Sequence, residues 1–427
     1  MMRLAAVLFL SMAALPGQAE EFTTLKGHGG PIMDLAISPE GQVTSASFDN
    51  ALGLWSGRRA QWLEGHEAAV TALTWGAGAT LVSGGDDFAV RQWRPVAREL
   101  GRHRGKVTSL SVAPDGSAVA SGSWDGSIRL WPLQEDGRTG ELSYPGAGVN
   151  AVAFSRDGRG LFAATSKGAL LRYDLEGGGP PLPLVQHGFG INRLVIGDDW
   201  IAYGAVDGGT RVIDAASGDQ IADFTLDRRP ILAMDWHAAT AQLAVGDGHG
   251  YIMIVDTRAW RIARDFRATR QGPVWALAFS PDGRIIHSGG LDDVVYSWPV
   301  ALLDELKAPE GSGARSFLRA PETMENGERQ FMRKCSICHA LTSGPSRKAG
   351  PTLHGVFGRP AGALPDYRYS DTLDRSGIVW TETTIDALFD QGPDHYIPGS
   401  KMPMQVIASS DDRADLIAFM KSATQGD

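Results

Sequence analysis

The sequence predicts a multidomain chain in which an all-β propeller of seven blades is followed by an all-α domain. Three observations predict it. Short apolar strands close on Trp55, Trp93 and Trp131 at equal spacing, and weaker copies close on Tyr173, Ile213, Val255 and Trp298, so seven units can form a ring. The strand pattern stops at Leu302, and the following tract from Ala308 to Ala320, APEGSGARSFLRA, is rich in Pro, Gly and Ser. Beyond it a helical apolar period returns in Met324 to Cys335, in Thr384 to Phe389 and in Asp411 to Lys421. The expected boundaries are a leader over 1–19, a ring over 20–301, a linker over 302–320 and a helical domain over 321–427.

The composition agrees with this division. With 43% hydrophobic and 21% charged residues the chain is globular rather than disordered, and 427 residues leave room for two or three domains. Forty Lys plus Arg against 49 Asp plus Glu give a net charge of -9 with no basic block, which argues against nucleic-acid binding. The two cysteines, Cys335 and Cys338, are too few and too close for a disulfide framework and point to chemistry instead.

At the N-terminus, Arg3 precedes an apolar run from Leu4 to Leu15 and then Pro16, Gly17, Gln18 and Ala19. This reads as a signal peptide cut after Ala19, and its small-residue cleavage site suggests export to a bacterial periplasm. A membrane anchor needs about 20 apolar residues, more than this run supplies. No later stretch reaches that length, so no stable membrane insertion is expected.

Each unit repeats one order, clearest in the third. His103 precedes the strand VTSLSVA, the turn Pro114-Asp115-Gly116, the strand AVASGS, the turn Trp124-Asp125-Gly126 and the strand SIRLW. Turns ending in Gly41, Gly158 and Gly283 repeat this chemistry, because glycine supplies the positive backbone angle they need. The last unit stops at Val300 without an outer strand, while Glu21 to Leu25 lacks a blade. Pairing the two closes the ring and removes its open edges, and deleting residues 22–26 is expected to cost much of its stability.

Residues 21–301 therefore resemble the WD-repeat family, with Gly27-His28, Gly65-His66 and the variant Arg102-His103 at the starts of units. The resemblance implies a hydrogen-bonded network of His28, Ser45, Asp49 and Trp55 in the first blade. Blades four to six lack the Trp and mostly lack the His, keeping Asp174, Asp214 and Asp256 after the strand end.

The chemistry lies in Cys335-Ser336-Ile337-Cys338-His339, a C-x-x-C-H sequence that is the attachment motif for c-type haem. Two thiols separated by two residues reach both vinyl groups of one porphyrin, and the adjacent histidine supplies an axial nitrogen. A thioredoxin-type redox pair would need a βαβ pattern that is absent, and a zinc site would need further ligands. Downstream, Met402 and Met404 are candidate sixth ligands. Met402 precedes Pro403, which keeps its backbone extended in a loop.

Across Glu325 to Thr424 these and other motifs in order, Gly350 to Arg359, Tyr369, Gly377 to Trp380 and Tyr396 to Met402, resemble the class I cytochrome c family, close to the mitochondrial type. The resemblance implies one covalently bound haem c, held by thioethers to Cys335 and Cys338, with His339 and Met402 as the iron ligands. Pro351 would orient the histidine through its carbonyl, Arg359, Tyr369 and Trp380 would bind propionates, and Ser400 would present a hydroxyl to them. Gly327, Phe331 and Leu416 would pack the first helix on the last. Leu373 and Leu388 stand where mitochondrial relatives carry polar residues, and His354 and His395 are further, less favoured ligands.

An iron filled by His and Met transfers electrons and offers no substrate position. The leading expectation is thus a periplasmic carrier of single electrons whose propeller docks a protein redox partner. Arg329, Arg333, Lys334, Arg347, Lys348 and Lys401, near the haem motifs, would steer an acidic partner. An alternative is an oxidoreductase whose propeller binds a second cofactor or substrate through His187, His237, His249 or His287, and a third is an assembly scaffold that senses redox state.

Overall fold

The computed structural model describes residues 21–143, 147–226, 230–269, 272–306, 321–344 and 346–424. The leader expected over 1–19 and most of the expected linker lie outside them.

The repeat folds into seven four-stranded antiparallel sheets. The first comprises Ile32–Ile37, Val43–Ser47, Ala51–Ser56 and Arg59–Glu64, ordered from the innermost strand outward. The seventh takes three strands from the end of the repeat, Val274–Phe279, Ile285–Gly290 and Val294–Pro299, and its fourth from the start of the chain, Thr23–Lys26. Thr23 pairs with Ser297 and Lys26 with Val294, so the ring is closed by an antiparallel ladder. Phe22 packs on Trp298 with ring centroids 4.7 Å apart. Leu303 is buried in the same cluster as Trp298, so the propeller's packing continues past residue 301.

Two features of the repeat lock neighbouring blades. The second strand carries a glycine where the next blade's innermost strand begins. A Cβ on Gly84 would stand 2.3 Å from Val107, and one on Gly289 would stand 2.5 Å from Ile32, so only glycine permits the approach. Polar residues on the innermost strands then bridge to the next blade. Thr71 donates to the Val107 carbonyl at 2.6 Å, Thr108 to Val149 at 2.6 Å, Asn150 to Ile191 at 3.0 Å and Asn192 to Ile231 at 2.9 Å. In the first and sixth blades a half-buried aspartate takes over, Asp34 accepting from the Leu73 amide and Asp235 from the Phe279 amide, both at 2.7 Å.

Inside the first blade, Ser45 is a hub: His28 Nε2 lies 2.7 Å from its hydroxyl and Trp55 Nε1 donates to it at 2.8 Å. His28 Nδ1 donates to Asp49 at 2.9 Å. The second blade repeats this with His66, Ser83, Asp87 and Trp93, and the third with His103, Ser121, Asp125 and Trp131. In the seventh, Trp298 still donates to Ser288 at 3.0 Å. His187 occupies the corresponding place in the fifth blade, 3.1 Å from Asp207.

The C-terminal domain is helical only in part. It has α1 (Asn326–Lys334), α2 (Asp371–Asp374), α3 (Glu382–Gln391), α4 (Pro393–Tyr396) and α5 (Ser410–Thr424), joined by long irregular segments. Helix α1 crosses α5 at Gly327, where a Cβ would lie 2.1 Å from the Asp415 carbonyl oxygen. Phe331 and Leu416 are buried there, and the Phe331 and Phe419 rings lie 5.5 Å apart. Helix α3 starts on a capping box formed by Thr381 and Thr384. Arg413 of α5 pairs with Asp386 of α3 at 2.8 Å. The irregular segments between these helices carry the chemistry.

Candidate functional site

Helix α1 ends where the cysteine motif begins. The Cys335 amide donates to the Phe331 carbonyl, continuing the helix, while the amides of Cys338 and His339 donate back to the Cys335 carbonyl at 3.0 and 2.8 Å. This tight turn gathers both thiols and the imidazole on one cavity. Burial pushes Cys335 up to about 12 and Cys338 up to about 11, although Lys348 offsets part of the second shift. Neutral thiols of this kind are poor redox nucleophiles.

His339 is oriented from two sides. Its Nδ1 donates to the Pro351 carbonyl at 2.7 Å, which leaves Nε2 with its lone pair. Gly350 lies against the ring, where a Cβ would stand 2.5 Å from Cε1. Burial holds the imidazole below its ordinary pKa, in the neutral form a metal requires.

The cavity has a volume of about 350 Å³. It is lined by Cys335, Cys338, His339, Pro351, Arg359, Tyr369, Trp380, Ser400 and Met402, so every residue the resemblance assigned to the site is brought together. Arg359 donates to the carbonyls of His354 and Thr352, at 2.9 and 2.7 Å, and so braces the loop after Pro351. The Ser400 hydroxyl accepts from the Met402 amide at 3.2 Å, fixing the loop that presents the thioether. Leu353, Val356, Leu373, Ile385, Leu388 and Phe389 supply apolar walls. Leu373 and Leu388 thus contribute packing, not polar groups, to the cavity wall.

Several residues fall elsewhere. Met404 is 49% exposed, and its sulfur lies over Gly392, where a Cβ would be 2.7 Å away. It does not line the cavity, which distinguishes it from Met402. His395 is exposed, and neither it nor His354 lines the cavity. In the propeller, His237 bridges Thr240 and the Pro281 carbonyl, and His287 lies 2.9 Å from the Ser297 hydroxyl. Among the described residues no three His, Cys, Asp or Glu side chains form a metal-binding group.

The residue reading missed Tyr367, which lines the cavity beside Tyr369 and donates to the Ala349 carbonyl at 2.9 Å. Its proximity in sequence to Tyr369 was the available signal. It also missed Gln405, which donates to the Lys334 carbonyl at 2.9 Å, and a set of propeller residues at the cavity mouth. The donor set of two thiols, one neutral imidazole and one thioether in an apolar enclosure fits a covalently attached porphyrin iron.

Residues 324–424 match the family model described as cytochrome c. Cytochrome c of Sesamum indicum is 41% identical over 111 residues, covering 98% of that protein and 26% of this chain. The chain belongs to the cytochrome c family. Cytochrome c of Theileria parva is 44% identical over 98 residues, 84% of its length and 23% of this chain. Cytochrome c type-1 of Ascaris suum is 42% identical over 98 residues, 85% of its length and 23% of this chain. These relatives match the C-terminal domain, and the cofactor of this cytochrome c is covalently bound haem c. Four segments, 19–56, 57–94, 95–132 and 261–299, match the model described as WD domain, G-beta repeat. Blades four to six, unmatched by that model, make the same four-stranded sheets, so this cytochrome c carries a seven-bladed WD propeller. Among the described residues no helix is long and apolar enough to cross a membrane.

Proposed function

We propose that this cytochrome c carries single electrons in the periplasm, with His339 and Met402 as axial ligands and the propeller as the platform that docks a protein redox partner. The observation that carries the reading is the meeting of His339, Met402 and both cysteines on one apolar cavity. Cys335, Cys338, His339 and Met402 would hold haem c there, and the group would supply one-electron exchange. The chain's own residues orient it: Pro351 and Gly350 fix the imidazole, Ser400 fixes the methionine loop, and the leucine walls exclude water. Low polarity around the site favours the less charged ferrous state and so raises the potential.

The propeller supports the platform role by its rigidity, since its blades are locked by the inter-blade bonds and its ring is closed by the Thr23–Lys26 strand. Tethering places whatever binds the ring at high effective concentration near the cytochrome. Periplasmic location rests on the leader sequence from Arg3 to Ala19.

Spectrally monitored redox titration of the purified full chain tests the reading. It should follow a one-electron curve with one haem per chain. Two haems per chain, or turnover of a small substrate without a protein partner, would contradict it.

A further inference from the structure

The mouth of the haem cavity is covered by the chain's own propeller. Phe48, Asn50, Glu67, Ala68, Ala69 and Asp86, from loops of the first and second blades, complete its lining together with Lys334, Lys401 and Met402. Four contacts hold the cover. The Arg347 guanidinium lies over the Trp62 ring, 4.0 Å from its centroid, and donates to Glu64 at 2.9 Å. Arg368 pairs with Glu67 at 3.2 Å. Gly29 abuts the Arg347 backbone so closely that a Cβ would fall 1.5 Å from its carbonyl oxygen.

Gly29 is the informative residue. Its amide donates to Asp49 at 2.9 Å, as the amide of Glu67 donates to Asp87 at 2.9 Å and that of Arg104 to Asp125 at 2.8 Å. These three positions are equivalent, each following the histidine of its blade, and two of them carry long side chains. The blade itself therefore does not require glycine. What requires it in the first blade is the approach of Arg347.

The charges are complementary in the same sense. Arg347, Arg368, Lys334 and Lys401 on the cytochrome face Glu64, Glu67 and Asp86 on the propeller. An acidic redox partner would meet the same basic rim. Most of these ionic groups are partly exposed, so their attraction is screened over a Debye length of about 8 Å at physiological salt. Such a contact persists because the two parts belong to one chain, and it can be displaced.

From this we infer that the propeller rim is an intramolecular, salt-sensitive gate, which covers the mouth of the haem cavity and must swing away before the haem exchanges electrons with a donor or acceptor from solution. The inference rests on the electron-transfer reading above for its consequence, though not for the contact itself.

The test uses the full-length holoprotein, wild type and Gly29→Glu, at low and high salt. Small-angle scattering reads docking independently of any redox activity. The wild type should be compact at low salt and expand at high salt, while Gly29→Glu should be expanded in both. Stopped-flow reduction by ascorbate, each ferric haem taking one electron from the reductant, reads the gate. Gly29→Glu should be reduced several-fold faster than wild type at low salt, and the two rates should converge at high salt. A second variant, Glu64→Lys, should act in the same direction, and adding Arg347→Glu to it should restore compaction. Equal dimensions for wild type and both single variants would overturn the docked arrangement. Expanded variants with unchanged reduction rates would overturn the gate while leaving the electron-transfer reading intact.

Discussion

The Nδ1 atom of His339 donates to the carbonyl oxygen of Pro351 across 2.7 Å, with Gly350 pressed against the same ring. The imidazole is thus placed by backbone alone, before any cofactor is considered. Replacing Gly350 by Ala puts a methyl group 2.5 Å from Cε1, and either the ring or the loop must move. Gly350→Ala should lower the yield of holoprotein several-fold and shift the Soret band of what remains. Haem content per chain, measured on purified protein, checks it.

The blade networks make a comparative prediction. Ser45 meets both His28 and Trp55, whereas Ser288 meets Trp298 in a blade with no histidine at the corresponding place. Ser45→Ala leaves two buried groups without their hub and should cost about 2–3 kcal/mol, against about 1–2 kcal/mol for Ser288→Ala. Urea unfolding followed by tryptophan fluorescence gives both values.

Ring closure is testable at Leu25, which is buried in a cluster with Ile32, Trp55 and Val295 and so ties the closing strand to the first blade. Leu25→Ala should destabilise the propeller by about 2–4 kcal/mol, with the cytochrome spectrum unchanged. Similar unfolding midpoints for wild type and variant would show that the closing strand contributes little.

Two buried groups give opposite pH responses. Burial lowers His287 from 6.5 to about 4, so the unfolded chain binds a proton that the folded chain refuses, and stability is lost as pH falls through that window. Burial raises Asp235 from 3.8 to about 6, with its bonds to the Phe279 and Trp236 amides opposing the shift. Here the folded chain binds the proton first, so this contribution is present below pH 3.8 and is lost as pH rises through about 6. Each is worth on the order of 3 kcal/mol across its window. Relative to wild type, His287→Gln should lose less stability on acidification and Asp235→Asn should gain less. Urea midpoints measured from pH 7 to pH 4 separate the two signs.

Much of this was legible in the residues because the local signals are strong. Gly41, Gly116, Gly158 and Gly283 mark turns that nothing else fills, and Trp55, Trp93, Trp131 and Trp298 mark strand ends. The motif from Cys335 to His339 and the loop around Met402 contain the thiols, imidazole and thioether that meet on the cavity. Helices α2 and α4 were not legible, since four residues carry no period, and α4 depends on Gly392 at a φ of 86° followed by Pro393. The role of His187 was hidden because its blade lacks the tryptophan that identifies the network elsewhere. The cover over the cavity mouth was hidden for a different reason. It joins Gly29 and Glu64 to Arg347 across some three hundred residues of sequence, and no local pattern encodes that meeting.

The central claim is that two side chains, an imidazole and one particular thioether, hold the iron. It is tested most directly by comparing Met402→Ala with Met404→Ala in the oxidised and reduced holoprotein. The account predicts that Met404→Ala keeps the low-spin spectrum and the far-red sulfur-to-iron band and stays inert to carbon monoxide, whereas Met402→Ala loses the band and binds the gas. A wild-type protein that already binds carbon monoxide, or a Met402→Ala variant with an unaltered spectrum, would contradict it.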